Sequence, residues 1–159
     1  MGEPQIDALL DALAAFPDTL KQQVQGLDAE LLRYRPDPDA WSVVEIVGHI
    51  MEVEALWAGR FRHMLAAEHP IFPQYDRDAV VRQRDYQNKQ PGGILIAFAE
   101  QRAEHVAFLR GLRPAQLART GQHPVRGAIT VGEGIAVLAG HDRAHSEQIA
   151  ANVEAWKRR

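Results

Sequence analysis

The sequence contains no cysteine. Disulfide bonds, thiolate metal ligands and a cysteine nucleophile are therefore excluded. It also lacks an apolar run long enough to cross a bilayer as a helix. Residues Met1 to Ile6 include Glu3 and no basic, apolar leader of the kind that marks a signal peptide. We therefore expect a cytoplasmic protein that does not enter a membrane.

An excess of basic charge is missing as well. The net charge is -3 at pH 7, with 18 lysine and arginine side chains against 21 acidic ones. Proteins that bind nucleic acid select a basic surface, so we expect no nucleic acid partner. The partner expected is instead a small-molecule substrate. The length of 159 residues suffices for a sizeable core and predicts a single domain over residues 1–159.

Helical periodicity dominates what the sequence does contain. Four long helices are predicted, with approximate bounds Pro4–Gly26, Ser42–Ala66, Ile94–Leu112 and Thr130–Trp156. The second and fourth begin with capping boxes, Ser42 to Glu45 and Thr130 to Glu133. Pro17 predicts a kink or a restart in the first helix. Strand signals are weak, and the short β-branched run 128–131 is interpreted as the approach to the fourth helix.

A long polar connection separates the second and third helices, from about residue 67 to residue 91. Within it, residues 78–86 are predicted to form a short helix, as are residues 29–34 earlier in the chain. A connection of this length inside a bundle is often functional. The fold class expected is therefore all-α, a four-helix bundle with one long crossover between helices 2 and 3.

Three of the seven histidines have the placement of metal ligands. His141 and His145 are four residues apart and so share one face of the fourth helix, and His49 lies at the edge of the second helix's apolar stripe. Three imidazoles meeting in a bundle core form an open metal site, and zinc, nickel and ferrous iron all accept such ligands. Alternatively, each is a hydrogen-bonded packing residue. The remaining histidines are interpreted as polar or loop residues without a spacing partner: His63, His69, His105 and His123.

Two charged residues fall on apolar stripes. Arg102 lies among the apolar positions of the third helix, and Asp142 lies among those of the fourth. Because an unpaired buried charge costs several kcal/mol, the two are predicted to pair across the interface. Two alternatives remain: Asp142 accepts a proton from a ligating imidazole, or both side chains reach solvent at the rim.

Two further polar residues stand near the histidines. Glu52 follows His49 by three residues, where a solvated face is the simpler interpretation. Gln148 follows His145 by three and is interpreted either as a contact for a metal-bound water or as a packing residue. Glu52 and Gln148 join Arg102 and Asp142 as candidate catalytic residues.

Three segments match, in order, the blocks of one protein family. Residues 38–50 contain Trp-Ser-x-x-Glu-x-x-x-His, residues 123–130 contain His-Pro-x-x-Gly-x-x-Thr, and residues 141–149 contain His-x-x-x-His-x-x-Gln-Ile. With these blocks the chain resembles the DinB/YfiT-like superfamily over nearly its whole length.

The resemblance implies a fold and a metal. Members of this family form an up-down-down-up four-helix bundle, often as homodimers. Their histidine triad, which corresponds to His49, His141 and His145, binds a divalent metal. The family includes thiol-dependent S-transferases of the bacillithiol or mycothiol type, a thiol-dependent isomerase, and many members without an assigned activity. Some members are damage-inducible.

Three functions follow as hypotheses. The leading one is a metal-dependent transferase that joins a low-molecular-weight thiol to an electrophile; without a cysteine in the chain, the thiol must be a cosubstrate. The second is metal-assisted hydrolysis, with Glu52 or Asp142 as the general base. The third is a non-catalytic metal-binding protein of the stress response.

Overall fold

The chain folds into seven α-helices and one two-stranded sheet, described over residues 1–159 in a computed structural model. The helices are α1 Glu3–Val24, α2 Ala29–Arg33, α3 Val43–Ala66, α4 Arg77–Arg84, α5 Pro91–Arg110, α6 Pro114–Leu117 and α7 Val131–Lys157. The strands are β1 Thr120–His123 and β2 Gly127–Thr130, and a single 3₁₀ turn covers Tyr86–Asn88. None of the helices has both the length and the apolar character needed to cross a membrane.

The four long helices form the predicted bundle, in which α1 and α3 each pack against both α5 and α7. The contacts of α1 are Leu13 with Arg102 and Asp11 with Arg110 on α5, and Ile6 with Gly132 and Gln23 with Ser146 on α7. Those of α3 are Glu54 with Arg102 and Phe61 with His105 on α5, and His49 with His145 and Phe61 with Gly134 on α7. Therefore α1 runs parallel to α7 and α3 runs parallel to α5, the two pairs pointing in opposite directions, which is the up-down-down-up order.

Both predicted capping boxes are confirmed. Ser42 and Thr130 accept hydrogen bonds from the backbone N–H groups three residues later, and the carboxylates of Glu45 and Glu133 accept from the backbone of the capping residues. Each pair satisfies donors that a helix start leaves free. These caps fix where α3 and α7 begin, and hence where their histidines stand.

Pro17 does not divide the first helix, since α1 continues through it from Glu3 to Val24. A proline inside a helix has no N–H for the carbonyl four residues earlier, which here is Leu13. The Leu13 carbonyl instead accepts a hydrogen bond from Arg102 Nη1 at 2.9 Å. The side chain of α5 thus supplies the donor that the proline removes.

The interpretation of residues 128–131 as a simple approach to a helix cap is wrong. Residues Gly127–Thr130 form β2, which pairs antiparallel with β1, from Thr120 opposite Thr130 to His123 opposite Gly127. Gly127 has φ of +78°, a left-handed conformation that the turn between the strands requires. Strands of four residues are too short for a two-residue periodicity to stand out in the sequence.

The long connection contains the predicted short helix, observed as α4, and returns to α3 through Tyr86. A Cβ atom added to Gly48 would lie 2.3 Å from the Tyr86 ring, so only glycine permits this approach. Tyr86 is 2% exposed. The contact fastens the connection to the helix that carries His49.

We expect Gly48→Ala to lower the free energy of unfolding by about 1–3 kcal/mol, because the added methyl group forces the Tyr86 ring to move. Gly59→Ala on the same helix is the matched control, since its Cβ would meet nothing within 4 Å. That control is expected to raise stability by about 0.5–1 kcal/mol, as alanine favours the helix. Urea unfolding of both variants measures the difference. Equal effects of the two substitutions would contradict the close packing of Tyr86.

The apolar core is divided into two clusters along the bundle axis. Phe98 and Ile149 belong to one cluster, and Val106 and Leu138 belong to the other. Between these positions α5 carries Arg102 and α7 carries its polar segment beginning at His141. A polar layer therefore lies inside the bundle, and it contains the candidate site.

Candidate metal centre

The three predicted histidines come together between α3 and α7. One nitrogen from each of His49, His141 and His145 lies within 4.8 Å of the other two. His49 Nε2 and His141 Nε2 are 2.9 Å apart, and the ring centroids of His141 and His145 are separated by 4.2 Å. His49 and His145 are only 2% and 8% exposed. The arrangement can hold one metal ion.

The ring of His145 is oriented by a neighbour on its own helix. Its Nδ1 lies 2.7 Å from Gln148 Oε1, and because that oxygen accepts, Nδ1 donates and Nε2 keeps its lone pair. Metal-ligating histidines use such a bond to fix their tautomer. Gln148, predicted to contact a metal-bound water, is thus placed to orient a ligand.

Trp41 forms one wall of the site. Its ring centroid lies 4.6 Å from that of His49 and 6.3 Å from that of His145, where the two rings are stacked. Asn152 Nδ2 donates to the Trp41 carbonyl at 2.8 Å and ties this segment to α7. In the sequence Trp41 stood out only as the first residue of the Trp-Ser-x-x-Glu-x-x-x-His block, and its contact with the histidines was not predicted.

The three imidazoles are held in their neutral form. Burial lowers the pKa of His49 to about 3 and that of His141 to about 2, and neighbouring positive charge, including that of Arg77, acts in the same direction. Burial also lowers the pKa of His145. Neutral imidazole is the form that binds metal, so the cluster is ready to bind at pH 7 without first losing protons.

The stability of the metal-free protein is expected to fall as the pH drops below about 6.5, the ordinary value for histidine. In that range His49 of the unfolded chain becomes protonated, whereas His49 of the folded protein stays neutral until about pH 3. Each such histidine lowers the free energy of unfolding by up to about 1.4 kcal/mol per pH unit. Urea unfolding between pH 7.5 and pH 5 measures this slope. His49→Gln should make it shallower, and an unchanged slope would contradict the prediction.

Some ring nitrogens of the histidine cluster are buried without a hydrogen-bond partner. Nδ1 of His49 and Nδ1 of His141 are both buried without a partner. A cluster of neutral imidazoles in this state carries lone pairs that no donor of the chain uses. The donor set, three imidazole nitrogens from two helices, therefore fits a divalent transition metal.

A cavity of about 140 Å³ opens beside the cluster, lined in part by Trp41, His145 and Gln148. Arg77, the first residue of α4, lies at its edge with its guanidinium 5.6 Å from the centre of the Trp41 ring. The long crossover thus contributes to the entrance of the site, as its length suggested.

The predicted pair between Arg102 and Asp142 is confirmed. Arg102 donates through Nη1 to Asp142 Oδ2 at 2.7 Å and through Nη2 to Asp142 Oδ1 at 3.1 Å. Each oxygen of Asp142 accepts a hydrogen bond from Arg102, and neither contacts a ring nitrogen of the histidine cluster, so the alternative role as acceptor for a ligating imidazole is not observed. Burial raises the pKa of Asp142 to about 6 although Arg102 opposes the shift, so the carboxylate is ionised at pH 7.

The charged layer extends beyond the predicted pair. Arg102 Nε also donates to Glu54 Oε2 at 2.8 Å, and the other oxygen of Glu54 lies 2.6 Å from His105 Nδ1. His105 was interpreted as a polar or loop residue without a spacing partner, but it lies within α5, is 3% exposed and is paired with Glu54. A signal was available: His105 follows Arg102 by three residues and so shares its face of the helix.

Glu52 is not on a freely solvated face. Its Oε1 accepts a hydrogen bond from the hydroxyl of Tyr86 and forms an ion pair with Arg84 Nε at 3.0 Å. Its side chain is 16% exposed. The carboxylate thus connects α3 to the crossover, and neither of its partners belongs to the histidine cluster.

Comparison with known proteins identifies the family. The sequence profile of the DinB superfamily matches residues 12–149. The chain belongs to the DinB superfamily. Among curated members, a candidate metal-dependent hydrolase of Oceanobacillus iheyensis is 25% identical over 147 residues, covering 92% of this chain and 84% of that protein. YfiT of Bacillus subtilis, also described as a candidate metal-dependent hydrolase, is 26% identical over 150 residues, covering 94% and 84%.

Solved structures of two other proteins agree with the fold. The YfiT structure, described as a four-helix bundle of unusual topology, superposes with a TM-score of 0.90 over 99% of this chain and 89% of YfiT, at 26% identity. A mycothiol-dependent maleylpyruvate isomerase gives a TM-score of 0.71 at 8% identity, covering 89% of this chain and 59% of that one. The latter match is evidence of a shared fold alone.

Proposed function

We propose that His49, His141 and His145 bind a divalent metal ion and that the protein is a metal-dependent enzyme that transfers a small thiol to an electrophile. The observation that carries the proposal is the convergence of three neutral imidazole nitrogens within 4.8 Å of one another. Zinc, nickel and ferrous iron all suit this donor set. With three protein ligands, a coordination position stays available to a substrate.

The chain's own residues prepare the site. Gln148 accepts a hydrogen bond from His145 Nδ1, which leaves the Nε2 lone pair of that ring available to a metal. Trp41 covers the rings of His49 and His145. A bound divalent ion supplies the charge that keeps a thiol ionised near neutral pH. The cavity beside His145 gives the cosubstrate access.

Thiol transfer is favoured over hydrolysis because neither of the two carboxylates predicted as the general base is free. Asp142 is engaged by Arg102 through both oxygens, and Glu52 is held by Tyr86 and Arg84. Activation of water needs a general base, whereas an ionised thiol is already a nucleophile. The same fold also serves a mycothiol-dependent enzyme, so it is compatible with a small thiol as cosubstrate.

Metal-dependent hydrolysis is the second candidate, favoured by the names given to the relatives from Bacillus subtilis and Oceanobacillus iheyensis. It requires Glu52 to leave Tyr86 and Arg84 and act as the base. Glu52→Gln therefore separates the two functions, since it should abolish hydrolysis and leave thiol transfer largely intact.

The test uses protein loaded separately with zinc, nickel or ferrous iron. Each form is incubated with a bimane electrophile and a panel of thiols (bacillithiol, mycothiol and cysteine), and in parallel with activated esters without thiol. Thioether formation that depends on both metal and thiol is the expected result. Ester turnover without thiol would favour the hydrolase. A metal that raises the melting temperature without any turnover would favour a non-catalytic protein. A homodimer, a cytoplasmic location and a stress-response role stay predictions.

A further inference from the structure

Arg60 is a buried cation without an anion. It lies on α3 with 7% of its surface exposed, and its Nε is buried without an acceptor. No carboxylate lies within ion-pair distance of it, in contrast to Arg102, whose guanidinium donates to Glu54, Asp142 and the Leu13 carbonyl. Burying a guanidinium without partners is costly, so its presence calls for an occupant.

Two aromatic rings hold this guanidinium in place. Its central carbon lies 5.0 Å from the centre of the Trp57 ring and 5.4 Å from that of Phe72. Such cation–π contacts offset part of the free-energy cost of burying the charge, but the two rings do not replace the hydrogen-bond acceptors that the N–H groups lack. Arg60 is therefore fixed in position while its buried Nε–H has no acceptor.

Tyr75 adds a second unused donor. Its hydroxyl is buried and makes no hydrogen bond. Tyr75 packs against the apolar cluster that contains Trp57 and Phe72, the two rings that hold Arg60. Burial raises the pKa of Tyr75, as does the negative charge of Glu52, while the positive charges of Arg60 and Arg84 act against the rise. The phenol is protonated at pH 7 and able to donate. The crossover thus brings a neutral donor to the buried cation.

His123 of β1 lies on the same aromatic platform. Its ring stacks on Trp57 with centroids 5.9 Å apart, and the charge of Arg60 contributes, after burial, to lowering its pKa. The backbone N–H groups of Val125 and Arg126 donate to its Nδ1 at 3.2 Å, so the proton of the neutral ring is on Nε2. The side chains grouped around Trp57 therefore present donors and no free acceptor.

We propose that Arg60 and Tyr75 form a binding site for the carboxylate group of a small molecule. A guanidinium matches a carboxylate with two parallel hydrogen bonds, and a single negative charge neutralises the single charge of Arg60. A phosphate dianion would leave an uncompensated charge among Trp57 and Phe72. Arg60 follows His49 by eleven residues, about 16 Å along the helix, so the site does not depend on the proposed metal centre.

The Arg60 Nε–H resonance in ¹⁵N NMR spectra tests the proposal directly. Zinc-loaded protein and the His145→Ala variant are each titrated with benzoate, with benzamide as the neutral match and inorganic phosphate as the alternative anion. Arg60→Lys, which lacks the Nε–H, identifies the signal. Benzoate is expected to shift this resonance in both proteins and to slow its hydrogen exchange, whereas benzamide and phosphate should not.

Affinities measured by calorimetry provide the second readout. Arg60→Met keeps the apolar contact with Trp57 and Phe72 and should weaken benzoate binding by about tenfold or more. Arg62→Met is the matched control on the exposed face of the same helix and should leave it unchanged. The proposal would be overturned if benzoate left the Arg60 Nε–H resonance unchanged. It would also be overturned if phosphate shifted this resonance with a higher affinity than benzoate. If Arg60→Met folds poorly, the NMR titration of the protein that retains Arg60 still tests the proposal.

Discussion

His145→Ala is expected to lower the affinity for zinc by more than about 100-fold. Removal of a group that merely orients a ligand typically costs about 10–100-fold, and His145 is itself one of three proposed ligands. Since a saturating metal stabilises the folded state by mass action, about 2.7 kcal/mol at 100 times the dissociation constant, the variant should also lose the metal-dependent rise in melting temperature. Competition with a chromophoric chelator measures the affinity.

Two further variants provide comparisons for the loss of zinc affinity in His145→Ala. Gln148→Leu removes the acceptor for His145 Nδ1 and should cost about 10–100-fold. His63→Ala removes an exposed histidine on α3 and should cost nothing. Zinc binding of unchanged affinity and stoichiometry in His145→Ala would end the assignment of the triad as a metal centre, and with it the proposed enzyme.

Arg102→Met is expected to lower the free energy of unfolding by about 3–5 kcal/mol, the usual cost of breaking a buried ion pair. The substitution leaves two buried carboxylates, Glu54 and Asp142, without their cation. It also removes the donor to the Leu13 carbonyl, which Pro17 cannot replace. Against a total stability of about 5–15 kcal/mol for an ordinary domain, this loss is large. Urea unfolding at pH 7.5 measures it.

The control is the exposed pair of Arg110 with Asp11, whose side chains are 41% and 73% exposed. Arg110→Met should cost no more than about 1 kcal/mol, because solvent screens such pairs. A double-mutant cycle with Arg102→Met and Asp142→Asn isolates the direct interaction, and a coupling above about 1 kcal/mol is expected. Additive effects in this cycle would show that the two side chains do not stabilise one another.

The crossover illustrates how far sequence patterns reach. The helix near residues 78–86 followed from local periodicity and is observed as α4. The contact of Tyr86 with Gly48 leaves no periodic signature, because it joins a loop residue to a helix 38 positions earlier, and it is also what places Glu52 beside the Tyr86 hydroxyl. The hairpin was missed for a related reason, since β1 also pairs through Gln122 with Ile71 of the crossover, a contact between distant parts of the chain.

The polar layer likewise contains one pair that the sequence predicted and further contacts that it did not. Arg102 and Asp142 were recognisable as partners because each stood alone on an apolar stripe, and a buried charge demands an opposite charge. Glu54 carried no such mark, and only the packing of α3 against α5 reveals that it accepts hydrogen bonds from both Arg102 and His105.

By itself, the sequence determined the four helices, their two capping boxes, the pairing of His141 with His145 on one face, and the exclusion of any thiol chemistry from the chain's own side chains. Those properties depend on interactions within about four residues, or on composition. Only the tertiary structure brought His49 to that pair, placed Trp41 over the rings and left Arg60 buried without an anion. Contacts between residues far apart in the chain are set by how whole helices pack, which no local pattern records.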